Sequence, residues 1–238
     1  MTVMPTDAMV LAAGRGTRLG ALGLKTPKPL VKVGDRTLLD HVLDELAAAG
    51  VTTAVVNIHH LPDSMRTHLA ARRGTPQIRL SDETDELLET GGGVVRALPL
   101  LAGESFFVLN SDVVRPAPAT GLARLIAAWA PNRMDFLLLL QPRDRTVGFE
   151  GAGDYSRHED GRLYWRGAAK TAPYVYAGAL LCRRAVFADA PAGAFSLKRL
   201  FDKAEADGRL FGVVNDGLWL HVGSPEGIVA AEAALAAR

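Results

Sequence analysis

Unbroken apolar runs alternate along this chain with stretches of helical period. "AMVLAA" (8–13) and "TAVVNI" (53–58) are short and β-rich, the pattern of strands buried on both faces. Between them Leu38, Leu39, Val42, Leu43, Leu46 and Ala47 fall on one helical stripe, so the order predicts a βαβ unit. "QIRL" (77–80), "FFVLN" (106–110) and "DFLLLL" (135–140) read as further strands, with helices near 92–101 and 119–130. The first 140 residues therefore predict a parallel, doubly wound sheet, whose ligand crevice belongs beyond the carboxyl ends of its strands.

The pattern then changes. "GDYSRHEDGRLYW" (153–165) sets polar and aromatic residues around a Glu-Asp-Gly turn and predicts a β-hairpin inserted near the crevice. A strand at 174–181, a helix at 196–208, short strands at 210–214 and 218–222 and a helix from Ser224 follow. No repeat or low-complexity linker interrupts them. The expectation is one α/β domain over 1–238, Rossmann-like and doubly wound, with a mostly parallel, mixed sheet.

Composition narrows the classes. The balance of 27 Lys+Arg against 26 Asp+Glu leaves +1, which argues against a general nucleic-acid footprint and makes local charge carry any case for anions. Cys182 is the lone cysteine, so no internal disulfide or Cys-x-x-Cys metal site can form. The first residues lack a basic, then apolar, leader pattern, and "FLLLL" is too short to span a bilayer, so a cytoplasmic protein without a membrane partner is expected. The Ala-rich final helix suits a monomer or a small homo-oligomer equally.

The candidate chemistry follows the first apolar run. In "LAAGRGTR" (11–18) a strand enters Gly14-Arg15-Gly16-Thr17-Arg18, a stretch whose consecutive backbone N–H groups can wrap an anion. A dinucleotide fingerprint fails, because the third glycine, Gly20, is one position late and Pro27 and Pro29 interrupt the following helix; a P-loop fails because Leu24 separates Gly23 from Lys25. What remains is a long irregular loop with Arg15, Arg18, Lys25 and Lys28, the last held between two prolines.

"LAAGRGTRLGALGLKTPKPLVKV" resembles the signature of the sugar-1-phosphate nucleotidyltransferases, and "LLETGGG" (87–93), "LNSDVV" (109–114), "YAGALL" (176–181), "GAFSL" (193–197) and "LWLHVGSPE" (218–226) occur in that family's order. The resemblance implies an enzyme that joins a nucleoside triphosphate to a sugar 1-phosphate and releases pyrophosphate, with a nucleotide-binding part at about 1–141 and a sugar-binding and lid part at about 142–238. The ETGGG form and the short chain look most like the branch that uses UTP and N-acetylmuramic acid 1-phosphate in cell-wall sugar recycling.

By the same resemblance, Leu11, Ala13, Gly14, Gly16 and Thr17 bind the nucleotide, Arg18 takes the triphosphate and Lys28 bridges the reacting phosphates. Glu83, Thr90 and Gly91 fall where the base is read, although Thr90 is equally placed to cap a helix. Asn110 and Gly178 fall on the sugar side, with Arg157 of the hairpin as a further candidate. Asp112 is the expected ligand of a divalent metal, Mg²⁺ or Mn²⁺, against the plainer role of a turn or cap residue.

One position departs from the pattern. Histidine stands at 221, in "WLHVGS", where relatives carry the carboxylate or amide that is the second metal ligand. Three readings stay open: Asp112 and substrate oxygens hold the metal alone, the metal is softer than Mg²⁺, or the chain binds without reacting. The competing functions are a guanylyl-, thymidylyl- or cytidylyltransferase of the same fold, and a nucleotide-sugar binding or regulatory protein. His59 and His60, at a strand end, read as structural.

Overall fold

The computed structural model describes residues 4–238. The expected βαβ unit is present: β1 (Asp7–Leu11), α1 (Ala21–Lys25), β2 (Lys32–Val33), β3 (Arg36–Thr37), α2 (Leu38–Ala48) and β4 (Thr53–Ile58). There follow α3 (Pro62–Ala71), β5 (Gln77–Asp82), α4 (Glu89–Ala97), β6 (Ser105–Asn110), β7 (Val113–Val114) and α5 (Gly121–Ala128). The remainder comprises β8 (Phe136–Pro142), β9 (Tyr155–Arg157), β10 (Leu163–Trp165), β11 (Tyr174–Arg183), α6 (Lys198–Ala206), β12 (Leu210–Val214), β13 (Leu220–His221) and α7 (Pro225–Ala236).

Each element has a local cause. β1 and β4 are apolar on both faces because the sheet is covered on both, and they pair in parallel with Ala8 opposite Ala54. Thr37 caps α2 by accepting the Asp40 N–H at 3.1 Å, and Leu39, Val42, Leu43 and Leu46 then lie buried against the sheet. Side chains of β1, α2, α3 and α5 form the core on one face, whereas Val94 and Ala97 of α4 with Leu200, Phe201 and Ala204 of α6 form it on the other. Helices on both faces make the fold a doubly wound, Rossmann-like α/β sheet.

The sheet is more mixed than the apolar pattern predicts. β5, β4, β1 and β6 are parallel neighbours, but β8 does not join β6. Instead β11 lies between them, antiparallel to both, and β12 extends the sheet in parallel from β8. A buried apolar strand needs a partner on each edge, and which distant segment supplies it is invisible to local periodicity. The hairpin β9–β10 forms as expected and pairs onto β11 through Tyr155 opposite Tyr174.

The segment between β1 and α2 is less irregular than expected. It holds a 3-10 turn at Thr17–Leu19, the short α1 and a second 3-10 turn at Lys28–Leu30 that Pro29 enters at its second position. Leu19, Val31 and Val33 pack with Leu220, Val222 and Ala231 in a third apolar cluster. Burying each leucine or valine there is worth about 1.5–3 kcal/mol, so the loop is pinned to β13 and α7 at its apolar positions while Gly14, Arg15, Arg18, Gly20 and Lys25 stay exposed.

Candidate active site

Strand ends supply the site. Beyond Leu11 of β1 and Asn110 of β6 opens a crevice of about 470 Å³. Leu11, Ala13, Gly14, Gly16 and Thr17 line it, as do the cations Arg18 and Lys28. Thr90, Asn110 and Asp112 form the facing wall. Arg15 and Lys25, the other basic residues of the loop, are exposed and lie outside that lining.

Lys28 Nζ donates to Asp112 Oδ2 at 2.7 Å, so residues 84 positions apart meet at the mouth of two strands. Burial alone would raise the Asp112 pKa, but the Lys28 charge and hydrogen bond, with smaller help from His221 and Arg18, hold it below the ordinary aspartate value. The carboxylate is therefore ionised at neutral pH. Its backbone carbonyl accepts the Val222 N–H at 2.9 Å, and β7 pairs with β13, which brings His221 opposite Val113. Asp112 caps no helix.

His221 Nε2 lies 3.9 Å from Asp112 Oδ2, while Nδ1 donates to the Gly148 carbonyl at 3.1 Å. The ring stacks on Trp219 with centroids 5.8 Å apart, and Trp219 Nε1 donates to the Ala177 carbonyl. His221 borders the crevice without lining it; Gly223 lines it beside Arg18.

Four expected contacts fall elsewhere. Glu83 is fully buried: Oε1 accepts from Asn57 Nδ2 at 2.7 Å and Oε2 from the Leu88 N–H at 3.3 Å, so it does not face the crevice. Gly91 is buried under Phe195, whose carbonyl accepts the Gly91 N–H at 2.7 Å. Gly178, at φ +72°, packs behind Asn110, whose Cβ would lie 3.2 Å from a Cβ there. Thr90 is no cap either, since its hydroxyl accepts the Leu197 N–H at 2.9 Å and draws the segment before α6 against the crevice. Arg157 is spent on the Gly212 carbonyl at 2.9 Å, in the sheet. His59 and His60 donate to the carbonyls of Glu83 and Gly23 at 2.7 and 2.9 Å, structural contacts as read.

Asn57, Ser111, Ser196 and Glu89 also line the crevice and were not singled out in the sequence. Glu89 sits at φ +57°, a costly backbone for a residue with a Cβ, and such strain gathers at functional sites. Ser111 donates its hydroxyl to the Leu11 carbonyl at 2.8 Å and ties the two strand ends together.

Burial raises the Glu83 pKa, an effect that its bonds to Asn57 and Leu88 only partly offset. A carboxyl group raised on folding contributes fully below its unfolded pKa, about 4.3, and loses that contribution as pH rises through the folded value. The stability of the native chain relative to the Glu83→Gln variant is thus expected to fall across that window. Chemical denaturation of both proteins at a series of pH values measures the slope, and a constant difference would contradict it.

A glycine and basic loop facing an ionised aspartate, at the carboxyl ends of a doubly wound sheet, defines a site for moving a nucleotide between phosphates. The chain belongs to the MobA-like NTP transferase domain family, whose model matches residues 8–210. It is 45% identical to the N-acetylmuramate alpha-1-phosphate uridylyltransferase of Caulobacter vibrioides over 99% of each chain. It is also 31% identical to a probable mannose-1-phosphate guanylyltransferase of Oryza sativa subsp. japonica over 92% of this chain, which spans 61% of that protein. Among solved structures, an inositol-1-phosphate CTP transferase from T. maritima superposes with TM-score 0.77 at 18% identity, covering 98% of both chains. A UDP-glucose pyrophosphorylase complexed with UDP-glucose superposes with TM-score 0.79 at 14% identity, over 98% of this chain and 99% of that one, which establishes the shared fold. The protein is a nucleotidyltransferase that acts on a sugar phosphate. No helix among the described residues is long and apolar enough to cross a membrane.

Proposed function

We propose that the chain transfers a uridylyl group from UTP to N-acetylmuramic acid 1-phosphate, giving the UDP-sugar and pyrophosphate in the cytoplasm. The convergence of Arg18, Lys28 and Asp112 on one crevice carries the reaction class. The high identity along the whole Caulobacter relative supports the choice of base and sugar. Residues 1–141 supply the nucleotide side and 142–238 complete the sugar side of one catalytic unit.

The attacking sugar phosphate is already an anion, so the chemistry needs little proton transfer and much neutralisation of charge. Arg18, with its rigid fork of donors, holds paired oxygens of the triphosphate. Lys28 is a point charge aimed by its 3-10 turn, and it draws the two reacting phosphates to the strand ends. Free amides of the glycine loop wrap the nucleotide phosphates. Asn110 and Thr90 orient the sugar and the nucleoside from the facing wall.

Members of this family generally use a divalent metal. The residues here fit one. Asp112 offers a hard anionic oxygen, and His221, with Nδ1 bonded to the Gly148 carbonyl, presents Nε2 3.9 Å from that carboxylate. Among the described residues no group of three His, Cys, Asp or Glu side chains gathers to hold an ion, so substrate oxygens and water complete the shell. An imidazole beside one carboxylate suits Mn²⁺ better than Mg²⁺. When bound, the ion supplies positive charge against the phosphate oxygens that gain charge as pyrophosphate leaves.

Pyrophosphate release, measured for each nucleoside triphosphate with a panel of sugar 1-phosphates, tests the assignment. UTP with N-acetylmuramic acid 1-phosphate is expected to give the highest kcat/KM. A higher value for GTP with mannose 1-phosphate, or nucleotide binding without release under either metal, would overturn it.

A further inference from the structure

The wall of the crevice behind the loop contains a buried polar pair with no evident part in the reaction. Asn57, at the end of β4, is 2% exposed and Glu83 is 0% exposed. Asn57 Oδ1 accepts the N–H groups of Ala12 and Ala13 at 2.6 and 3.2 Å, and its Nδ2 donates to Glu83 Oε1 at 2.7 Å. The second Glu83 oxygen accepts from Leu88 N at 3.3 Å. An amide flipped end for end would turn its NH₂ toward two N–H donors and its oxygen toward the Glu83 carboxylate, so Glu83, as acceptor for Nδ2, helps dictate which way Asn57 points.

Gly93 is built around the same pair. A Cβ there would lie 2.9 Å from Glu83 Oε1 and 3.0 Å from Asn57 Nδ2, closer than side-chain carbons pack. The third glycine of "ETGGG" thus has a reason within this chain, since it admits the carboxylate and amide beneath α4. The Ala12 and Ala13 amides are the last two before Gly14, where the chain leaves the sheet and becomes the phosphate-facing loop.

We propose that Glu83 and Asn57 are positioning residues for nucleotide binding: Glu83 orients Asn57, and Asn57 clamps the Ala12 and Ala13 amides, which sets the direction in which the glycine loop leaves β1. The inference rests on the glycine loop being the seat of the nucleotide, as proposed above. The energetic logic is that of a fully satisfied buried network. Each member has its partner, and removing one leaves a buried donor or acceptor unpaired at the base of the loop.

A swap of the two functional groups tests it. Asn57→Asp keeps the acceptor for both amides but faces one carboxylate with another. The double variant N57D/E83Q restores a donor and an acceptor in reversed order at unchanged charge. UTP affinity is read by calorimetry with Mn²⁺, alongside the separate KM values for UTP and for the sugar 1-phosphate. N57D is expected to weaken UTP binding by about tenfold, the scale of one lost buried hydrogen bond, and to leave the sugar phosphate KM within about twofold. N57D/E83Q is expected to recover most of the UTP affinity. A double variant no better than N57D, or equal losses for both substrates, would overturn the inference.

Should N57D not fold, Gly93→Ala carries the test, because it displaces the pair without changing its chemistry. It too should raise the UTP KM selectively, and a rise shared equally by the sugar phosphate would count against the pair. Arg18→Ala separates the two levels. If R18A leaves UTP affinity unchanged, the loop is not the nucleotide's seat; if R18A weakens it and N57D does not, only the positioning inference fails.

Discussion

Lys28→Ala is expected to lower kcat by about 10²–10³-fold, the range seen when a preorganised charge-stabilising donor is removed from an active site. The loss should fall on turnover more than on substrate affinity. Lys28 is one of two loop cations that line the crevice, and Arg18 remains to hold the triphosphate. Its aim comes from a 3-10 turn and flanking prolines that the substitution leaves in place, so circular dichroism of the variant should match the native protein. The Lys28 bond to Asp112 is only part-buried, which limits what its loss costs the fold. Steady-state kinetics with near-native kcat in K28A would remove Lys28 from the reaction.

The second large effect is expected at His221. If its Nε2 and Asp112 share an ion, Mn²⁺ should support turnover better than Mg²⁺ in the native enzyme, and His221→Asp should move the preference toward Mg²⁺ by about tenfold or more, as hard oxygen replaces nitrogen. Parallel titrations of both metals against both proteins measure the ratio. An unchanged ratio would assign the ion to Asp112 and substrate oxygens alone. The bond from Nδ1 to Gly148 matters here, because an aspartate cannot donate to that carbonyl and the variant's ligand is held less firmly.

How much of this was legible follows from what is local in a sequence. Asp112 follows directly on an apolar strand and Lys28 lies on the loop that leaves another, and in a doubly wound sheet the carboxyl ends of strands are where ligands bind. Both were found, and they meet at 2.7 Å. Asn57 was one polar letter in "TAVVNI" and was absorbed into the strand; the available signal was that an amide inside an apolar run must find hydrogen bonds indoors. Glu83 was placed by its position relative to the glycine run. Its burial depends on Gly93, ten residues on, leaving room for it, and no spacing rule carries that. The place of β11 between β6 and β8 is likewise a long-range pairing, which an apolar strand requires but does not specify. The hairpin was recognised from its turn, yet Arg157 within it serves the Gly212 carbonyl rather than a ligand.

The claim on which everything else depends is that the Arg18, Lys28 and Asp112 crevice moves a nucleotidyl group, with a sugar phosphate oxygen attacking the α-phosphorus of the triphosphate. Incubating the enzyme with N-acetylmuramic acid 1-phosphate and UTP, radiolabelled in separate experiments at the α- or the γ-phosphate, tests that directly. α-Label is expected in a UDP-sugar and γ-label in pyrophosphate, in equal amounts, and both are expected to form about 10²–10³-fold more slowly in K28A. Label from the γ-position on the sugar, or released as orthophosphate, would contradict it.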